Sequence, residues 1–465
     1  MSAGFRICFV SGKLGDVDGV SLEVEKWIET LSKAGHTIHT VAGKYGSPLL
    51  SVPRENQYTL EQIRFDSDRQ RYYEQLVFPY LTKRSIVLPE AKRREVTEEL
   101  LLEGAQVANL LYEYIQLNGI DVIVAENTNA MPMTLLGGVA VHNIATRRRV
   151  ATIFHHHDFW WERSRFSDSA IEELLNDIMP PTDLGLEHIV ISSYAAHILT
   201  SFKRVRPHIV PNCEDFEHPV VLDEYNSDFR REFGFRDDDI LIVQPTRIVR
   251  RKRIEDSVEF VARLGEAYPE LRDRLQYIIS LYQGDEPDDF YVEEIKRLAE
   301  HRGVRLHQIS DRVAAVRGAN KDGKKTYTNR DVLANADLVT YLPVWEGFGN
   351  ALLEALAARV PIVTTTYLVY KTDIKVAGFR MIEIRDTYDE NGRLVISDKV
   401  LEDTYYILTH PEKRAEIVEK NYTIGLEEFG FETLRVRLEE VIESYGDEIR
   451  ASRKRLRKSM ARFSV

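Results

Sequence analysis

The chain has 465 residues, of which 43% are hydrophobic and 29% charged, so it is too long for one core and ordinary for a folded protein of two domains. Its formal net charge of −12 excludes the broad basic footprint that nucleic-acid binding needs, though not an anionic small substrate held in one basic pocket. Only two cysteines occur, Cys8 and Cys213, and no apolar run approaches ~18 residues. Neither a disulfide framework, nor a cysteine metal cage, nor a membrane-spanning helix is expected, and the predicted location is the cytoplasm.

In chain order, Arg6–Ser11 reads as a buried first strand, its apolar run too short for a signal peptide. A glycine-containing loop to Ser21 and a helical pattern over Ser21–Ala34 follow. Further strands are predicted at Thr37–Ala42, Asp121–Glu126, Val150–His155, His188–Ser192 and His208–Val210, with a long helical pattern at Val96–Leu117. The series restarts at Ile240–Pro245 and continues with Leu275–Ser280, Val304–Ile309, Leu338–Leu342 and Pro361–Thr365. Strand and helix alternating at this spacing means parallel sheets covered on both faces, and two such series mean two Rossmann-like domains. The predicted division is a first domain over 1–212, a linker over 213–239, a second domain over 240–440 and a basic helix over 441–465. Residues 311–330 are read as a polar surface loop. The last sixteen residues carry seven Lys or Arg and no acid, with Ile449, Leu456, Met460 and Phe463 at helical spacing. This tail is read as a helix docked on the body, packing back on the first domain, with a membrane-surface anchor as the alternative.

Ligands of open parallel sheets bind beyond the carboxyl ends of the strands, and several motifs sit there. Tyr341-Leu-Pro-Val-Trp-Glu-Gly-Phe-Gly-Asn-Ala-Leu-Leu-Glu354 runs from a strand through a glycine loop into a helix. Gly347 and Gly349 allow close backbone approach, and the amides of Phe348, Gly349 and Asn350 open a helix N-terminus suited to a phosphate or a sugar hydroxyl. Glu346 can accept hydrogen bonds from sugar hydroxyls, and Glu354 lies about one turn into the helix. Gln244-Pro-Thr-Arg-Ile-Val-Arg-Arg-Lys-Arg253 follows another strand, and two of its cations, Arg247 and Lys252, can grip a diphosphate where other enzymes use a metal. The loop before the first helix contains Asp18-Gly19-Val20, and its Asp16 and Asp18 also spell an Asp-x-Asp metal motif. Phe154-His-His-His-Asp-Phe-Trp-Trp-Glu-Arg163 comes after a third strand. Alternation on an extended chain lets His155 and His157 share a face, but the sequence names no third metal ligand. Trp160 and Trp161 can stack on a sugar ring, and Arg163 or Arg165 can meet an acidic acceptor. Against each motif stands a bland reading: solvated glutamates, a solvated basic face, a packed loop.

Taken together, these strings resemble the family-4 retaining glycosyltransferases, the two-Rossmann-domain (GT-B) type whose sheets face each other across a cleft. The family signature is an acid, Gly-Phe-Gly, a short apolar helix, a second Glu and Ala-x-x-x-Pro-Val-Val, matched here with Arg359 in place of a usual Gly. The family's Gly-Arg, four residues, Lys-Gly is matched by Arg247 and Lys252, with Thr246 and Arg253 replacing the glycines. The likeness is strong over 240–365, looser over 5–45 and 150–215, and absent over 50–120 and beyond 370. After Pro361 the family's Gly-Gly-x-x-Glu gives way to Thr366-Tyr-Leu-Val-Tyr-Lys-Thr-Asp373.

The resemblance implies hexosyl transfer with retention, from a UDP- or GDP-linked sugar to a small hydroxylated acceptor, anionic or neutral, with no cofactor, no metal and no protein nucleophile. Glu346 would orient the sugar, Glu354 hold the ribose, Arg247 and Lys252 the diphosphate, and Gly19 lie against the phosphates. His156 is the histidine assigned to the donor sugar, beside Asp158, with His155 next. His155, His157, Trp161 and Arg163 are assigned to the acceptor. Rival readings are a sugar phosphorylase or sugar-nucleotide epimerase of the same fold, and a non-catalytic sugar-nucleotide-binding regulator. Nucleic acid is not an expected partner.

Overall fold

The structure is a computed structural model that describes residues 4–16, 18–79, 88–282 and 288–463, the last four by backbone alone. The chain forms two compact units. Residues Met1–Pro211 join Leu434–Val465 in one, and Asn212–Thr433 form the other.

The first unit is built on a seven-stranded sheet in the order β3-β2-β1-β4-β5-β6-β7. Its strands are β1 (Arg6–Ser11), β2 (Thr37–Ala42), β3 (Gln57–Thr59), β4 (Val122–Glu126), β5 (Ala151–His156), β6 (Glu187–Val190) and β7 (His208–Ile209), every pair parallel. Helices cover both faces, so the central strands are buried throughout and read as continuous apolar runs such as VIVA before Glu126 in β4. The strand order reverses between β1 and β4, and that switch point opens a crevice beyond their carboxyl ends. The helices Phe431–Ser444 and Gly446–Phe463 return to this unit. Leu438, Val441 and Ile442 close a small apolar void with Ile7, Trp27 and Ile153, so the return begins before residue 441. Ile449 and Leu456 are buried, the Ser452 hydroxyl accepts from the Ala151 N–H at 3.0 Å, and Arg453 pairs with Asp121. These two members of the tail's stripe therefore face the unit's own core rather than a membrane. Met460 and Phe463 lie outside the described side chains.

The second unit holds a six-stranded parallel sheet in the order β10-β9-β8-β13-β14-β15. Its strands are β8 (Ile240–Gln244), β9 (Leu275–Ile279), β10 (Leu306–Gln308), β13 (Leu338–Tyr341), β14 (Ile362–Thr365) and β15 (Ile382–Ile384). Here the switch point lies between β8 and β13. The residues expected to be a linker, 213–239, are packed into this unit. Phe229 is buried against Phe233 and Tyr327, Asn226 donates to Asp331 at 3.0 Å, and Arg230 bonds Asp337 at 2.9 Å. The loop expected over 311–330 contains a small hairpin, β11 (Gly318–Ala319) with β12 (Lys325–Thr326). Of the four edge strands, β3, β7, β10 and β15, the sequence reading missed β3 and β15, each three residues long.

Candidate active site

In the second unit the chain leaves β8 and enters a single 3-10 turn, Arg250–Lys252. That turn splits four consecutive cations. Arg250 bonds Asp288 at 2.8 Å and Glu294 at 3.0 Å, and Arg253 bonds Asp256 at 2.8 Å. Arg251 and Lys252 instead reach Glu346 in the loop after β13, the arginine at 2.5 Å and the lysine in an ion pair to the same oxygen. The Val344 N–H donates to the Arg251 carbonyl at 3.2 Å and ties the two loops together. Lys252 also lies 5.0 Å over the Tyr341 ring and 3.4 Å from its hydroxyl. Glu346 is 7% exposed and Lys252 9%. Burial would raise the Glu346 carboxyl, but Arg251 and Lys252 outweigh it and hold the group at about 2. Burial lowers the Lys252 ammonium to about 8, with Glu346 opposing and the charges of Arg251 and Arg247 adding to the fall. The structure thus gathers Lys252 and Glu346, with Arg247 near enough to be felt. Arg251 was missed, because nothing in a run of basic residues says which ones a 3-10 turn aims inward.

The glycine loop depends on one unusual backbone. Gly349 takes φ +140°, and a Cβ there would fall 2.5 Å from the Tyr367 hydroxyl, which donates to the Phe348 carbonyl at 2.7 Å. Tyr367 belongs to the stretch that departs from the family pattern, and it packs beneath the loop. The helix Asn350–Ala357 starts directly after Gly349. Asn350 accepts from Asn212 at 2.6 Å, and Glu354 accepts from Asn329 at 2.6 Å, itself bonded to Ser280 just past β9. Two arginines standing where the family has glycine, Arg253 and Arg359, both adopt positive φ, +49° and +54°.

In the first unit Gly19 opens the helix Gly19–Lys33, and Asp18 is its N-cap, accepting from the Val20 and Ser21 N–H groups at 3.1 Å. Its other oxygen takes the Ser21 hydroxyl at 2.9 Å and Lys13 at 3.3 Å, and Asp16 shares that lysine at 3.3 Å. Capping and an ammonium thus occupy the would-be Asp-x-Asp motif.

Beyond β5 the histidines part company. Parallel register sets Glu126, the last residue of β4, opposite His155. His155 Nδ1 lies 3.0 Å and His157 Nε2 3.3 Å from the same Glu126 oxygen, and Trp27 stacks on His155 at 4.0 Å. The expectation that no third metal ligand accompanies these two histidines is therefore corrected: Glu126 supplies one, and the three ligand atoms lie within 4.8 Å of one another. The donor set nevertheless fits a hydrogen-bonded network better than an ion. Among the described residues His155 Nε2 is buried without a hydrogen-bond partner, so metal on Nδ1 would strand a buried N–H. In the network His155 donates through Nδ1, and burial keeps it neutral. Glu126 sits at about 2, because the histidines outweigh the upward push of burial.

His156, assigned to the donor, points elsewhere. It is 1% exposed, with Nε2 3.0 Å from His188 Nδ1 and the Phe159 ring beside it, and burial holds it well below its ordinary value. His157 is the half-buried member of the three. Asp158 is fixed by Arg163 at 2.9 Å and by Asn127 at 3.1 Å. Trp160 is buried with its N–H on the Met179 carbonyl, whereas Trp161 is half-buried and stacks on Phe159. Arg165 lies over Phe166, its Nε buried and without a hydrogen-bond partner among the described residues.

Two parallel Rossmann-like sheets with charged loops at their switch points define the architecture of GT-B glycosyltransferases. The solved structures of Anabaena HepE in complex with UDP-glucose (TM-score 0.64, 13% identity, 94% of this chain and 99% of that one) and of sucrose-phosphate synthase from Thermosynechococcus elongatus (TM-score 0.64, 12% identity, 95% and 98%) share this fold. The model of the glycosyl transferases group 1 family matches residues 226–376. Over 454 residues the chain is 31% identical to the mannosylglucosylglycerate synthase of Thermotoga maritima, covering 94% of this chain and 98% of the relative. The synthase of the same name from Petrotoga mobilis is 28% identical over 88% and 94%. The chain belongs to the group 1 glycosyltransferases, and it is a glycosyltransferase. Among the described residues no helix is long and apolar enough to cross a membrane.

Proposed function

We propose that the chain transfers a hexosyl group with retention from a UDP- or GDP-linked sugar to a small hydroxylated acceptor that carries an anionic group, with no metal ion on the diphosphate. The observation that supports this most is the pair of cations, Arg251 and Lys252, converging on Glu346 at the switch point, within the field of Arg247. Burying such a cluster is a poor route to stability, since desolvation consumes what the ion pairs gain. It is a good route to a site where negative charge must be met as it develops. Arg247, Arg251 and Lys252 take the diphosphate and neutralise it as it leaves. Glu354 takes the ribose, while Glu346 and the amides of Phe348, Gly349 and Asn350 orient the sugar.

The name of the two relatives contains a mannosyl, a glucosyl and a glycerate unit. Mannosyl transfer to an acceptor like glucosylglycerate is accordingly the first reaction to try. Arg165 is the better partner for its carboxylate, because Arg163 is engaged by Asp158. His157, the least buried of the three, takes the place of His156 as the histidine proposed for the donor.

The test is a panel of UDP- and GDP-sugars against glucosylglycerate and related hydroxy acids in excess chelator, with the product's anomeric coupling read by NMR. Turnover that vanishes with chelator and returns with magnesium or manganese sinks the metal-free reading, and an inverted anomeric centre sinks retention.

A further inference from the structure

Asn329 carries a side chain that its own helix does not need. It is the first residue of the helix Asn329–Ala334, whose N-terminus is already capped from its neighbours. The Thr328 hydroxyl accepts from the Asp331 N–H at 3.2 Å, and the Asp331 carboxylate accepts from the Thr328 N–H at 2.8 Å. The Asn329 amide instead bridges the chain just past β9 and the helix Asn350–Ala357. Its Nδ2 donates to Glu354 Oε2 at 2.6 Å, and its Oδ1 accepts from the Ser280 hydroxyl at 2.8 Å. The partners fix which way the amide points. An ionised carboxylate only accepts, so the nitrogen must face Glu354, and the oxygen is left for Ser280, whose hydroxyl can donate. Ser280 is fully buried directly after β9, and its N–H donates at 3.3 Å to the carbonyl of Gln244, the last residue of β8. Glu354 is the one acid of its helix, and its neighbours Leu353 and Ala355 are buried. Two hydrogen bonds in series therefore tie one oxygen of that carboxylate to the sheet.

We propose, on the reading of Glu354 as the ribose ligand, that Asn329 is a positioning residue, oriented by Ser280, that sets the Glu354 carboxylate for the paired 2′- and 3′-hydroxyls and so makes the unit select ribonucleotide over deoxyribonucleotide. A glutamate left loose would give up the freedom of three torsions when it met the sugar. Here that cost falls on folding, and the plane of the carboxylate is set before the ligand arrives. The chemistry of the holder matters as well. Glu346 is held by two cations, whereas Asn329 grips Glu354 without adding a charge, so the carboxylate keeps its strength as an acceptor for hydroxyls. A deoxyribose lacks one of those hydroxyls and leaves a pre-aimed acceptor unfilled, which is how a hydrogen-bonding site rejects the analogue that lacks the group.

The experiment needs neither acceptor nor turnover. Calorimetry on the full chain compares UDP and GDP, each against its 2′-deoxy and 3′-deoxy counterparts. The unmodified chain should prefer the ribonucleotide by about 10-fold over at least one counterpart. Asn329→Ala should cut that preference below about 3-fold by weakening the ribonucleotide, with deoxyribonucleotide binding held within about 2-fold. Ser280→Ala leaves the amide in place but free to turn, so it should remove part of the preference, and it is read alone if Asn329→Ala does not fold. On the Glu354→Ala background neither substitution should change the preference further. Equal weakening of both nucleotides by Asn329→Ala means that the amide only braces two helices, and overturns the proposal. Loss of the preference in Glu354→Ala but not in Asn329→Ala overturns the positioning role alone. A preference that is absent from the unmodified chain, or that survives Glu354→Ala, overturns the ribose reading and the proposal together.

Discussion

The two switch points solve the same electrostatic problem with opposite materials. In the second unit a carboxylate is buried among side chains that are cationic at neutral pH, and the surplus is positive: Arg251 and Lys252 touch Glu346 while Arg247 acts from further off. In the first unit a carboxylate is buried among imidazoles, whose charge depends on where each ring sits. His157, beside three acids, is driven towards the imidazolium, while His155 and His156 are driven away from it. A fixed positive field suits a ligand whose negative charge is permanent and grows on departure, as a diphosphate's does. A titratable, half-buried donor suits the uncharged or proton-exchanging part of the ligand. The difference teaches which unit should tolerate which substitution.

The sharpest break in the comparison is Lys252→Ala. If the lysine meets the leaving diphosphate, kcat should fall by about 2–4 kcal/mol of transition-state stabilisation, with a smaller change in donor KM. Lys252→Arg should recover part of the loss. Because burial brings the ammonium to about 8, activity of the unmodified chain should decline as pH rises through that value, and the arginine variant should hold its activity to higher pH. A pH profile flat to 10 in both would remove the lysine from the charge relay.

The second break is in stability at acid pH, and it belongs to the first unit. His188 is buried against His156, and burial lowers it to about 4. Below its ordinary value of ~6.5 the unfolded chain takes a proton that the folded chain refuses, so stability falls as pH drops from about 6.5 to 4 and then levels. The expected loss is about 3 kcal/mol, to which His156 adds in the same direction. Urea unfolding at pH 7 and pH 5 should show about 2 kcal/mol of it, and His188→Gln should flatten the slope.

Much of the second unit's site was legible because it is local. Tyr341 to Glu354 is one string, and Lys252 follows a strand whose end was recognised to within a residue. Glu126 was not found, although both halves of the signal were present: predicted strands ending at Glu126 and at His155. What was lacking was the knowledge that these strands are neighbours in register, a non-local fact that alternation along one strand cannot supply. Alternation did place His155 and His157 on one face. It could not say that His156, on the other, meets His188 from the next strand. Nor could it foresee that residues 213–239 pack through Phe229 and Asn226 rather than bridge two bodies.

A milder test separates binding from chemistry at the ribose end. Glu354 accepts from the neutral Asn329 side chain at 2.6 Å, so its removal takes away a hydrogen-bond acceptor and leaves Arg251 and Lys252 in place. Glu354→Ala should raise the donor KM by about 10-fold with kcat nearly unchanged, the size of one lost hydrogen bond to a charged group. An equal fall in kcat would move Glu354 into the chemical step.

The smallest effect probes why arginine replaces glycine at 359. The position follows the helix Asn350–Ala357 and takes φ +54°, where a side chain costs about 1 kcal/mol relative to glycine. Arg359 offsets that strain by lying 3.4 Å over the Tyr422 ring and bonding Glu419 at 2.7 Å. The ion pair is largely solvated and contributes at most about 1 kcal/mol, whereas the stacking contributes about 0.5–1 kcal/mol. Arg359→Gly loses the contacts and the strain together and should leave stability within about 0.5 kcal/mol. Arg359→Ala loses the contacts and keeps the strain, so it should be less stable than the glycine variant by about 1 kcal/mol. Should the two variants unfold at the same denaturant concentration, the left-handed backbone is not what the family glycine is for, and the parallel explanation for Arg253 falls with it.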